Sequence, residues 1–165
     1  MTQTISAILS VLIVSLGMMI PTRNPKVDVP DIDTTRASDI QWEHHQRWGT
    51  SLELTRRIHR MAERHGLPKT MAMRLVDTES DFDSLAISHK GAVGLTQVLP
   101  STAGMTTREL QNASTNLSVG FAYLAKMKRR FGTWKKALMA YNDGPTDVAR
   151  GSRYSEPYAD EVMGL

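Results

Sequence analysis

At 165 residues, with 41% apolar and 22% charged side chains, the chain has the composition of one folded domain plus an appendage, not of a disordered polymer. It contains no cysteine, which excludes a disulfide frame, a thiolate metal site and a cysteine nucleophile. The balance is mildly basic, 20 Lys+Arg against 17 Asp+Glu, which suits a polyanion such as wall polymer, nucleic acid or phospholipid head groups.

Residues 5–20, ISAILSVLIVSLGMMI, form an uncharged apolar run. At about 1.5 Å per residue it covers about 24 Å, slightly short of the ~30 Å hydrocarbon core. Three readings compete: an uncleaved membrane anchor, a secretory signal and a buried core helix. The start Met1-Thr2-Gln3-Thr4 lacks the Lys or Arg of a signal, although Ser15 and Gly17 permit cleavage after Gly17. A polar, Pro-containing stretch separates the run from the rest, which disfavours a core helix, so the anchor is preferred. Residues 21–35 carry Pro25 and Pro30 among charges, without apolar periodicity, and read as a tether.

Ser38-Asp39-Ile40-Gln41 looks like a capping box that opens a short helix through Trp48, ended by Gly49. Trp42 and Trp48 either pack on the domain or sit at a lipid interface, and packing is the more ordinary fate. The expected division is therefore residues 1–22 as a membrane anchor or signal-like helix, 23–50 as a linker with a short helix, and 51–165 as the main domain.

From Ser51 the pattern is helical: Leu54, Ile58, Met61 and Ala62 share a face, Ser51 caps and Gly66 stops. Pro68 suits the first turn of the next helix, which carries Met71, Leu75 and Val76 and delivers Glu79. A Gly91–Gly94 turn follows, then a short helix or turn from Leu95 to Gly104. Asn116 is placed to cap a helix with Leu117, Phe121, Leu124, Met127 and Phe131 inward, closed by Gly132. Thr133 opens another, with Trp134, Ala137, Leu138 and Tyr141 on one side, broken at Gly144-Pro145. Ser155-Glu156-Pro157 starts a last helix carrying Tyr158 and Val162. Strand-like alternation is almost absent, and the fold class is mainly α.

The five histidines show no His-Glu-x-x-His arrangement. They read as surface residues, and no metal is expected. The run Lys126-Met127-Lys128-Arg129-Arg130, with Lys135-Lys136 after it, reads as the solvated face of a helix. No DNA- or RNA-binding fingerprint accompanies it, so no nucleic-acid partner is expected.

Glu79 is the residue around which chemistry gathers. On a helix, Ala72, Leu75, Val76 and Glu79 share one face. A carboxylate on an apolar face is costly when charged, so its pKa should rise, and proton donors for glycoside chemistry are made in this way. A helix-end Glu pointing at water is the bland alternative. Gln97, after the Gly-rich turn, is placed to line a groove beside that acid.

Around Glu79 the motifs are Glu79-Ser80, Gly91-Ala92-Val93-Gly94-Leu95-Thr96-Gln97, Pro100-Ser101-Thr102-Ala103 and Ala140-Tyr141-Asn142-Asp143-Gly144-Pro145. In this order the segment from about residue 54 to 162 resembles the soluble lytic transglycosylases and related goose-type lysozyme-like enzymes. The resemblance implies a compact, helical lysozyme-like domain that cuts peptidoglycan glycan strands without a cofactor. In that family one Glu serves as acid and then base, and the product carries a 1,6-anhydro-muramic end. By the same resemblance Glu79 is catalytic, while Ser88, Gln97, Tyr141 and Asn142 are candidates for substrate binding. The implied roles are a serine near the N-acetyl group, a sugar-binding glutamine and a tyrosine hydroxyl that orients the carboxyl. Bland readings stand beside them: a turn-capping Ser88, a helix-capping Gln97, a core Tyr141 and an Asn142 that fixes the Gly144-Pro145 turn. Ser80 is read as a brace at the end of the Glu79 helix.

Thr96 and Leu99 stand where methionines are common in the family, and Asp143 replaces a small residue. Asp143, with Asp77, Asp81 and Asp83, keeps open a muramidase that hydrolyses the same bond with a second carboxylate about 5–9.5 Å from the first. On a continued helix Asp77 points to a different face from Glu79. A non-catalytic wall-binding or structural virion protein is the alternative of another class. The resemblance places the enzyme on the periplasmic wall, while the anchor is read from the apolar run of residues 5–20, which the resemblance does not cover. Arg23 and Lys26 oppose that orientation, a conflict that a virion membrane protein would resolve; the expected role is local wall opening for phage entry or for a secretion or conjugation apparatus.

Overall fold

The computed structural model describes residues 32–165. The proposed anchor and most of the tether lie outside the described residues. Among the described residues there are nine helices and no strand: α1 Ile32–Trp48, α2 Leu52–His65, α3 Lys69–Ser80, α4 Pro100–Ala103, α5 Thr107–Leu110, α6 Ala113–Phe131, α7 Trp134–Asp143, α8 Pro145–Ala149 and α9 Glu156–Met163. None of these is long and apolar enough to cross a membrane.

Residues 33–165 form one compact unit. Its centre is α6, whose Leu117, Phe121 and Leu124 are fully buried and which packs against α2 and α7. Helix α3 lies against α2 and α9, and α9 also packs on α7. The stripes Ile58–Ala62 on α2, Ala72–Leu75–Val76 on α3 and Ala137–Leu138 on α7 meet in this core. Their three- and four-residue spacing puts each stripe on one helix face.

Caps act where the sequence places them in four cases. Ser51 accepts from Leu54 N at 3.1 Å, Thr133 accepts from Lys136 N at 3.2 Å, and Gly66 and Gly132 end their helices with positive φ. Pro68 is the residue before the first turn of α3 rather than within it. After the break at Gly144 the chain forms the short α8 instead of an irregular loop.

Three expectations are corrected. Helix α1 begins at Ile32, not beside Ser38, so Ser38 lies within it. Asn116 is not a cap: Asn112 is, accepting from Thr115 N at 3.1 Å, and Asn116 is buried one turn later. Finally, His44 and His59 are not surface residues. Both are buried, with His44 Nδ1 2.8 Å from His59 Nε2 and Thr70 Oγ1 3.3 Å from His44 Nε2. The ring of His44 stands edge-on to Trp48. Mutual hydrogen bonding lets two imidazoles leave water together, and it fastens the end of α1 to α2.

Candidate active site

The apolar periodicity of α3 buries Ala72, Leu75 and Val76 completely, which turns Glu79, on the same stripe at the helix end, inward to a half-buried position. The hydroxyl of Tyr158, on α9, donates to Glu79 Oε1. Burial pushes the Glu79 pKa above the ordinary glutamate value, and the Tyr158 bond works in the opposite direction. No other carboxylate enters that balance. Such a group can stay protonated where an exposed glutamate would not, and it keeps one phenol partner to fix its orientation.

The chain leaves α3 through two left-handed residues, Asp81 (φ 50) and Phe82 (φ 61). Such conformations are costly for side-chain-bearing residues and persist only where the surroundings impose them. Ser80 helps to do so, its hydroxyl lying 3.1 Å from Val76 O and 3.0 Å from Leu95 O. The end of α3 is thereby tied to the loop that follows.

That loop folds on itself between Val93 and Val98, whose backbones exchange hydrogen bonds of 2.9 and 3.0 Å. Asn116 holds it. Its amide oxygen accepts from Thr96 N (2.8 Å) and Thr96 Oγ1 (2.7 Å), and its amide nitrogen donates to Val93 O (2.7 Å) and Leu110 O (2.9 Å). A fully buried amide with every group engaged is a rigid post. Gly94 makes the close approach possible, because a Cβ there would lie 2.6 Å from Asn116 Nδ2. Gly120 does the same on α6, where a Cβ would meet Thr96 Oγ1 at 2.2 Å.

Beside this loop runs a groove with a cavity of about 370 Å³, lined among others by Gln97, Leu99, Tyr123, Tyr141 and Asn142. Gln97, in a left-handed conformation (φ 46), lines it while its amide nitrogen donates to Gly94 O at 3.0 Å. Tyr141 also lines it, with its ring edge-on to Tyr123 at 5.6 Å. Its hydroxyl, however, donates to Thr96 O at 2.5 Å. The tyrosine hydroxyl on Glu79 is that of Tyr158, which sequence reasoning placed on the last helix without a role. Tyr141 remains an electrostatic neighbour of Glu79, and burial chiefly, with that neighbour, drives its own pKa far upward.

Asn142 is exposed and donates to Ser155 Oγ at 2.7 Å, so it ties α7 to the start of α9 rather than to the Gly144-Pro145 turn. Ser88 is exposed and its hydroxyl accepts from Ala92 N at 3.1 Å, inside its own turn. Gln97, Tyr141 and Asn142 thus line one groove, which Glu79 adjoins as the electrostatic neighbour of Tyr141 rather than as a lining residue, while Ser88 stands on the outer turn.

Three of the four rival carboxylates are engaged elsewhere. Asp143 receives Ser155 N at 3.2 Å and the Ser155 hydroxyl. Asp77 is bonded by Trp48 of α1. Asp83 caps Leu85 N at 2.8 Å, and Asp81 ends α3 with its backbone N–H on Asp77 O.

Comparison with known proteins gives a consistent picture. The sequence model of the transglycosylase SLT domain matches residues 56–163. Over 113 residues the chain is 32% identical to membrane-bound lytic murein transglycosylase C of Haemophilus influenzae, covering 56% of this chain and 32% of that protein. Over 124 residues it is 36% identical to membrane-bound lytic murein transglycosylase F of Desulfosudis oleivorans, covering 68% of this chain and 27% of that protein. The chain therefore spans about a third of the length of these relatives. Among solved structures, an inactive mutant of the lytic transglycosylase Slt from Pseudomonas aeruginosa superposes with a TM-score of 0.53 at 27% identity, covering 66% of this chain and 20% of that one. The 70 kDa soluble lytic transglycosylase of Escherichia coli shares the fold, with a TM-score of 0.57 at 23% identity over 81% of this chain and 24% of that one.

Proposed function

Because the chain belongs to the transglycosylase SLT domain family, we propose that it is a peptidoglycan lytic transglycosylase, with Glu79 as its acid and base. The observation that carries this reading is the solitary state of Glu79. It is half-buried, raised in pKa by that burial and held by Tyr158, and no other carboxylate among the described residues enters its electrostatic balance.

The Glu79 carboxyl proton passes to the oxygen that bridges C1 of N-acetylmuramic acid and C4 of N-acetylglucosamine. The C1–O bond breaks, the glucosamine leaves with a 4-hydroxyl, and the substrate's own N-acetyl group supports the positive C1. The Glu79 carboxylate then removes the proton of the muramic 6-hydroxyl, and O6 bonds to C1. Glu79 ends protonated, no water is consumed, and the product is a 1,6-anhydro ring. Gln97, Tyr141 and Asn142 line the groove that orients the strand, and Ser88 sits at its outer turn.

A hydrolytic muramidase would need a second carboxylate to activate water; the bonds made by Asp77, Asp83 and Asp143 weigh against it. Digestion of purified murein with the full chain, followed by mass spectrometry of the sugar ends, tests the choice. Anhydro-muramic ends are expected, and reducing ends would replace the transglycosylase by a hydrolase. Wall-clearing activity that survives Glu79→Gln would remove the catalytic assignment altogether.

The context we favour is local wall opening by an enzyme tethered to the membrane through residues 5–20, in a phage virion or a secretion or conjugation apparatus. Two supports are the length and lack of charge of that run and the membrane-bound character named for the relatives. Fractionation of the full chain against a chain without residues 1–22 tests it, membrane association of both being the contrary result.

A further inference from the structure

Helix α9 is held against α3 by more than apolar contact. Arg74 Nη1, midway along α3, donates to Met163 O at 2.6 Å, Thr78 Oγ1 donates to Glu161 Oε1 at 3.3 Å, and the Tyr158 hydroxyl donates to Glu79 Oε1. Arg74 precedes Glu79 by five residues, and Tyr158 precedes Met163 by five, which is about 7.5 Å of rise on each helix. The two helices therefore run antiparallel in matched register, with a bonded pair at each end of the shared length.

Of the two ties that do not touch the acid, the one from Arg74 is the stronger. It is short, its donor is charged, and its acceptor is the last carbonyl of α9, which no N–H of that helix can reach. Helix α9 has no basic residue in its own last turn, so the guanidinium of α3 supplies the positive charge that a helix end favours. The approach is close: a Cβ at Gly164, the left-handed residue that ends α9 (φ 76), would lie 1.7 Å from Arg74 Nη1. Burial of Ala159 and Val162 presses α9 inward but is non-directional. The bonds from Lys135 to Asp160, and between Ser155 and Asn142 and Asp143, tie α9 and its start to α7. The Thr78 bond is long and exposed, so the position of α9 along α3 rests on Arg74. A slip of one residue moves a helix about 1.5 Å, enough to carry a phenol out of the O–H···O range of about 2.5–3.0 Å.

Resting on the transglycosylase reading, we infer that Arg74 is a positioning residue: its grip on the C-terminal end of α9 sets the register that keeps the Tyr158 hydroxyl on the Glu79 carboxyl. Arg74 lies outside the groove lining, and its charge does not enter the balance at Glu79, which holds burial and the Tyr158 bond. Any effect of Arg74 on the acid thus passes through Tyr158. The titratable groups that face this arrangement are Tyr141 of α7 beside Glu79 and Tyr158, Glu161 of α9 beside Tyr158, and His44 of α1 beside Arg74.

The test is Arg74→Met, which keeps the length of the stem and removes the donors. In the full chain the Glu79 pKa is read by carbon NMR titration of its side-chain carboxyl, which needs no cleavage, and kcat and KM are read on murein. Loss of the Tyr158 bond leaves burial unopposed, so the Glu79 pKa rises and the declining limb of the pH–kcat profile moves to higher pH. The kcat falls about tenfold while KM stays unchanged. Tyr158→Phe shows the same displacement of the pKa, and adding Arg74→Met to it displaces the pKa no further. An unmoved Glu79 pKa in folded Arg74→Met, or a displacement that adds in full to that of Tyr158→Phe, overturns the inference. Gly164→Ala pushes the guanidinium off its carbonyl from the α9 side and raises the Glu79 pKa likewise. It decides the question should Arg74→Met fail to fold, and there too an unmoved pKa overturns the inference. A chain that cuts no murein but shows these displacements loses its catalytic reading, while the hold of Arg74 on Tyr158 stands.

Discussion

The hydroxyl of Tyr158 on the last helix donates to Glu79 Oε1 at the end of α3, joining two positions 79 residues apart in the chain. The bond favours the carboxylate, whereas burial favours the acid. Glu79 therefore sits between two opposed influences, which suits a group that must give a proton and later take one back. The balance is set by packing of α9 on α3, not by anything within α3.

Replacing Tyr158 by Phe leaves burial unopposed, so the Glu79 pKa rises further. In the proposed reaction the protonated form acts first, so activity should decline as pH rises through that pKa, and the declining limb should move to higher pH in Tyr158→Phe. Loss of orientation should lower kcat by up to about a hundredfold. A pH–kcat profile on murein reads both effects, and a declining limb displaced to lower pH would contradict the account.

Glu79→Gln should abolish cleavage and raise stability at neutral pH. The sign follows from linkage: the folded pKa lies above the unfolded one, so the unfolded state releases its proton first and gains as pH rises between the two. Glu79 thus lowers stability above its unfolded pKa of about 4.3, and the cost is complete once pH exceeds the folded pKa. Urea denaturation at pH 7 should favour the Gln variant, and the advantage should vanish below about pH 4.

Asn116→Ala removes four hydrogen bonds from a fully buried post; Thr96 N and Leu110 O lose the partner that Asn116 supplied, and Val93 O keeps only the bond from Val98 N. A loss of about 2–4 kcal/mol is expected from such unpaired groups. Gly120→Ala probes the same loop from α6, where its Cβ forces Thr96 aside at a cost of about 1–3 kcal/mol. Displacing Thr96 moves the carbonyl that receives Tyr141, so activity should fall even in the folded fraction. Denaturant midpoints combined with kcat of the folded protein check this.

The His44–His59 pair acts in the opposite pH direction to Glu79. Burial lowers both imidazoles, His59 to about 4, and the positive charges of Arg47, Arg74 and Lys69 add to this while Glu43 opposes it at His44. The unfolded state then binds more protons below about pH 6.5, so stability is full above that value and is lost as pH falls toward 4. His59→Leu should flatten this slope, read from denaturation midpoints at several pH values between about 4 and 7.

Much of this protein is set by neighbours in sequence. Ser51, Thr133, Gly66 and Gly132 mark helix ends because a cap needs only the next turn. The stripe Ala72–Leu75–Val76–Glu79 places the acid on a buried face because helix periodicity is local. Within the described residues, the mainly α character and the position of Glu79 follow from these alone.

Other features exist only once distant segments meet. A caps-and-periodicity reading makes Asn116 a helix start, since Asn is a good cap; the loop 93–97 makes it a post instead. It makes all five histidines solvent-facing, because an imidazole alone is costly to bury; packing of α1 on α2 supplies each of His44 and His59 with the other. The family resemblance, for its part, assigns the orienting hydroxyl to Tyr141, although Tyr158 and Val162 share a helix face whose phenol, turned toward the core, requires a polar partner.

From end to end, the chain by itself fixed that an acid would be half-removed from water, because turns and stripes are decided within a few residues. Which hydroxyl meets that acid, and that Asp143 is drawn to Ser155, was decided only by the meeting of α3, α7 and α9, since no local interaction spans 79 residues.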